Sequence, residues 1–84
     1  MSLCLTERNV EGLSSPQLAL ISYRLRERME VASTESRRQM LDRMSRAYMA
    51  FGLARTHAEH GSDKVGMLCD AAAEHLEVAR SIRW

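Results

Sequence analysis

The sequence predicts an all-α domain of three helices, either a three-helix antiparallel bundle or a helical hairpin plus one helix, completed by dimerisation. Three observations predict it. Apolar residues recur at helical spacing over long stretches. Ala, Leu, Met, Arg and Glu dominate, while β-branched residues are scarce. Capping and breaking signals at Ser14–Pro16, Ser33–Ser36 and Gly61–Ser62 divide the main part of the chain into three. The 84 residues suffice for one small domain. A core that small is marginal, so a second copy or a partner would help it.

The expected layout is a short N-terminal segment (1–13) and helices at about 16–32, 35–60 and 63–83. In the first segment Thr6 can cap a single turn, with Leu5 and Val10 as a staple and Gly12 ending it. The next signal is stronger. Ser14 and Gln17 fit a capping box, and Leu13 and Leu18 fit its hydrophobic staple. Ser15 followed by Pro16 is the alternative cap. Leu18, Ile21, Leu25, Met29 and Ala32 form the buried stripe of this helix, and Arg24, Arg26, Glu27, Arg28 and Glu30 its solvated side.

Ser33-Thr34-Glu35-Ser36 predicts a break because Ser and Thr compete for backbone groups. Without it the first two helices would fuse into a rod of about 44 residues, near 66 Å at ~1.5 Å per residue. In the long helix that follows, Met40, Met44, Ala47, Phe51, Ala54 and Ala58 share a face, which Leu41 and Tyr48 widen. Met49 and Leu53 fall on the far side, beside Arg46 and His57. A helix apolar on two sides calls for two neighbours.

Gly61 is the expected terminator, with Ser62 or Asp63 capping the third helix. So short a turn makes helices two and three antiparallel neighbours. Val65, Leu68, Cys69, Ala72, Leu76 and Ala79 form one apolar face of the third helix; Met67, Ala71, Val78 and Ile82 form a second. Together they cover roughly 200°, beyond the ~100° stripe of a surface helix. One intramolecular neighbour does not satisfy both faces.

The run Ala47-Tyr48-Met49-Ala50-Phe51-Gly52-Leu53-Ala54, then Gly61, Ala72 and Ala79, resembles one tetratricopeptide helix pair over less than half of the chain. The loop Gly sits two residues late, Arg55 stands where the second signature aromatic would be, no Pro closes the unit, and the chain holds no second copy. The resemblance implies tight packing through Gly52, Ala54 and Ala72, without membership of that family.

Composition excludes several classes. At 45% hydrophobic and 27% charged the chain is not of disordered type. A net charge of +1 forces no nucleic-acid or membrane partner. No apolar run approaches ~18 residues, and the start lacks the basic and apolar regions of a signal peptide, so a cytoplasmic site of action is expected. Cys4 and Cys69 read as two reduced thiols, with Cys69 a small core residue. Arg outnumbers Lys eleven to one, which fits a GC-rich bacterial or bacteriophage genome.

Catalytic and metal motifs are missing. His57 and His60 lie one helical turn apart, and zinc needs four convergent ligands. Folding the hairpin about Gly61-Ser62 sets Cys69 opposite Leu53 or Ala54 and His75 opposite Tyr48, away from that pair. The chain contains no Gly-rich phosphate loop, no Gly-x-Ser-x-Gly and no Cys/His nucleophile pair. Neither an enzyme, nor a cofactor or metal, nor a small-molecule substrate is expected.

Between Ile21 and Arg55 eight Arg face four acids, whereas from Thr56 onward three basic residues face five acids. Arg24, Arg28, Arg38, Arg43 and Arg46 thus form an alternative anionic-partner face, which a nucleic-acid-binding regulator would use. No helix-turn-helix spacing supports it. The leading expectation is a small protein-interaction module, a regulator, adaptor or inhibitor. Its interface would draw on Met49, Leu53, Met67, Ala71, Val78, Ile82 and the terminal Trp84.

Overall fold

The computed structural model describes residues 12–83. Among them are three helices and no strand: α1 (Ser15–Glu30), α2 (Glu35–Glu59) and α3 (Val65–Ser81). The fold is all-α. The turn expected around Thr6, and both Cys4 and Trp84, lie outside the described residues.

α1 begins through a full capping box. The Ser14 hydroxyl accepts from the Gln17 amide at 3.4 Å, and the Ser14 amide donates to the Gln17 side chain at 2.8 Å. Pro16 occupies the first turn, where its missing N–H costs nothing. Leu13, just before the cap, packs on the Leu18–Tyr48 cluster. α1 and α2 are separate helices. α1 ends with the Val31 and Ala32 amides turned back to the carbonyls of Arg28 and Met29. Thr34 then starts α2 by accepting from the Arg37 amide at 3.1 Å.

Gly61 ends α2 with a φ of 69°, the left-handed conformation that costs glycine least. Its amide reaches the Ala58 carbonyl at 3.2 Å, and the Ser62 amide reaches the His57 carbonyl at 2.9 Å. This is the Schellman pairing, which satisfies the last carbonyls of the helix. The start of α3 differs from expectation. Neither Ser62 nor Asp63 caps it; Lys64 takes that position and gives no side-chain cap. The Ser62 hydroxyl is engaged inside the turn, accepting from the Lys64 amide at 3.2 Å.

α2 lies in the middle, packed to equal extent against α1 and α3, which barely meet each other. Both seams are antiparallel. Ser15 bonds to Gly52 and Ser22 to Ser45, so α1 and α2 run in opposite senses. The hairpin turn at Gly61 and the bond between Arg43 and His75 give the same result for α2 and α3.

The core is divided accordingly. Leu18 and Tyr48 anchor a cluster that takes in Leu13, Ile21, Leu25, Met44 and Phe51. The Tyr48 and Phe51 rings meet edge-on, 6.5 Å apart, and burial raises the Tyr48 phenol above its usual pKa. Met40, Leu41 and Ala79 anchor the other cluster, against which Leu25, Met29, Ala32, Met44 and Ile82 pack. That is the end of the molecule at which all three helices converge. Gly52, which the tetratricopeptide likeness ties to the α2–α3 pair, faces α1 instead: a Cβ placed there would lie 3.5 Å from the Leu18 Cβ.

Candidate functional site

A bond from Arg43 Nη1 to His75 Nδ1, 3.0 Å long, joins α2 to α3. The expected register put His75 opposite Tyr48; the α2 side chain that reaches the His75 ring is that of Arg43. The bond also identifies one flank of the hairpin. Arg43, Arg46, Ala50 and Leu53 follow at helical spacing along α2; Ala71, His75 and Val78 do so along α3.

Leu53 stands about 15 Å from Arg43 along α2, and Met67 about 12 Å from His75 along α3, at ~1.5 Å per residue. Met49 stands about 9 Å from Arg43 and Ala71 about 6 Å from His75. The flank therefore carries an apolar half near the turn and a charged half around Arg46, Asp42 and Glu74. Met49, Leu53 and Met67 are 41, 48 and 62% exposed. Such exposure is notable in a two-helix face whose small residues, Ala47, Ala50, Ala54 and Ala72, are buried. α1 covers the other side of α2 and leaves this flank open.

The remaining interface candidates are placed differently. Ala71 and Val78 are half-buried on the same flank. Ile82 tucks against the Met40–Leu41–Ala79 cluster and belongs to the rim of the core. Trp84 is outside the described residues.

The five Arg of the alternative face do not make one uninterrupted surface. Arg43 turns into the α2–α3 seam toward His75. Arg46 pairs with Asp42 at 3.1 Å, and Arg26 reaches the same carboxylate at 3.8 Å. Arg38 pairs with Glu35 at 2.7 Å and also donates to the Ala32 carbonyl at 3.3 Å. Exposed pairs of this kind contribute about 0–1 kcal/mol each, so they lower local charge more than they stabilise the fold. Arg24 and Arg28 are exposed on α1.

Among the described residues no three His, Cys, Asp or Glu side chains converge as a metal site would require. The His60 ring instead bonds to the Thr56 carbonyl at 2.8 Å. Cys69 is a half-buried free thiol. No helix among the described residues is long and apolar enough to cross a membrane.

Sequence reading missed two features. Leu20 and Tyr23, at 52 and 68% exposure, leave a second apolar strip on the outer side of α1. Their i, i+3 spacing opposite the Leu18 stripe was the available signal. Ser22 and Ser45 are fully buried, with the Ser22 hydroxyl donating to the Ser45 carbonyl at 2.7 Å. No family model matches the chain, and no significant match exists among curated proteins or solved structures.

Proposed function

We propose that this protein is a small interaction module, a regulator, adaptor or inhibitor that works in the cytoplasm by docking the α2–α3 flank on a helical protein surface. The observation that carries the reading is the grouping of Met49, Leu53 and Met67, each well exposed, on the one side of the hairpin that α1 leaves open. Unbranched Met side chains repack readily against a partner, and apolar contact surrounded by charge is the usual anatomy of an interface. Catalysis would need a constellation of reacting groups in a pocket, and the flank offers Arg46, Asp42 and Glu74 on an open surface.

A second reading, binding of nucleic acid, draws on the surplus of Arg between Ile21 and Arg55 and on exposed Arg24 and Arg28. It predicts affinity that falls steeply with salt.

Photo-crosslinking in the cells that make the protein tests the first reading. A photoreactive amino acid replaces Met67 in one variant and Arg24 in another. The interaction reading expects a discrete protein adduct from position 67. No protein adduct at 67, with nucleic acid captured at 24, would overturn it in favour of the second reading.

A further inference from the structure

We infer that the occupant of the α2–α3 flank is a second copy of this chain, related by a twofold axis parallel to the helices, so that α2 of each copy lies on α3 of the other. This rests on the reading of the flank as an interface and adds who covers it and in which register.

Charge selects the partner and the axis. On this flank α2 carries Arg43 and Arg46 against Asp42, and α3 carries Glu74. A twofold axis across the helices would lay the basic α2 on its own copy. An axis along them lays the basic helix on the acidic one twice, in two identical contacts, as a closed dimer requires. Because the axis runs along the helices, residues level with each other within one hairpin become opposite each other across the dimer. Leu53 then meets Met67 of the second copy, Met49 meets Ala71, and Arg46 comes within reach of Glu74. Arg46 follows Arg43 by one helical turn and Glu74 is next to His75, and the Arg43–His75 bond holds these two stretches together.

Size is compatible with this. α3 has 17 residues, about 25 Å of helix, and two helices side by side are about 20 Å across. Such a face offers roughly 500 Å² a side and ~1,000 Å² for the pair, the threshold for a specific interface. Four helices packed this way also bury the apolar half of the flank, which the hairpin alone leaves in water.

A charge-swap cycle on the full-length protein tests the arrangement, with sedimentation equilibrium over a concentration series as the readout and circular dichroism as the check on folding. Arg46→Glu and Glu74→Arg each weaken the dimer about tenfold, and the double variant recovers most of that loss, since each copy then offers the reversed pair. A double variant no tighter than the singles overturns the register. A wild-type chain that is monomeric at every concentration overturns the second copy as occupant. The broader reading then stands or falls separately, on whether the crosslink at position 67 captures a protein of another mass.

Discussion

The two seams of α2 are built from different materials. Against α1 the contact is threaded by hydroxyls: Ser15 bonds to the Gly52 carbonyl and to Thr56, both at 2.6 Å, and Ser22 bonds to the Ser45 carbonyl. One large side chain, Leu18, is buried completely among them. Against α3 the contact is made of alanines, Ala47, Ala54, Ala72 and Ala79, closed by Leu76 and by the single Arg43–His75 bond. The first seam fixes direction and register through specific polar partners. The second brings two helices together over small side chains and leaves the longer ones, Met49, Leu53 and Met67, pointing outward. A seam of alanines buries little apolar surface per residue. The α2–α3 hairpin therefore gains most from a further layer, and the α1 seam, filled by Leu18, Ile21, Leu25, Tyr48 and Phe51 beside its hydroxyls, gains least.

This contrast can be broken by substitution. The largest loss falls on the α1 seam at Leu18: with its side chain fully buried, Leu18→Ala costs about 3–5 kcal/mol in urea unfolding, by lost transfer energy and the cavity left behind. In the alanine seam the damaging change is enlargement. Ala72→Leu forces α3 away from α2 and costs about 1–3 kcal/mol by the same measurement. Ser22→Ala removes a buried donor but leaves the Ser45 carbonyl its helical partner, so its cost is about 1 kcal/mol. Gly52→Ala changes stability in the opposite direction. The added Cβ meets Leu18 and the Ser15 carbonyl at ordinary contact distances, 3.5 and 3.6 Å, while helix propensity improves by up to ~1 kcal/mol. A loss at Gly52→Ala would mean that α1 sits closer to α2 than these distances allow.

Much of the fold was legible in the sequence because its punctuation is local. A capping box, a Thr N-cap and a left-handed Gly act within four residues, so Ser14, Thr34 and Gly61 mark their ends directly. The start of α3 was not legible. It depends on how many residues the turn consumes, and Ser62 bonds within the turn when it could have capped the helix. The α1–α2 seam was only half legible. The apolar stripe of α1 names Leu18, but Ser22 and Ser45 look like surface residues until the two helices are seen to meet there. For the candidate site, helical spacing separates Met49, Leu53 and Met67 from the core stripes. It cannot tell that Ile82, just past the end of α3, packs on the Met40–Leu41–Ala79 cluster.

The central claim is that the exposed flank of the alanine seam is an interface, and Met67 is its most exposed long apolar residue. Light scattering behind a sizing column, on wild type and Met67→Glu at matched concentration, tests it most directly. The wild-type mass should be twice the 9.6 kDa of the chain. The variant should scatter as a single chain with unchanged helicity, since a surface substitution alters intrachain stability by only about 0.5 kcal/mol while an unpaired charge in an interface is strongly disfavoured. Two single-chain masses would contradict a second copy as the occupant of the flank, and two doubled masses would contradict the flank as the seat of the dimer.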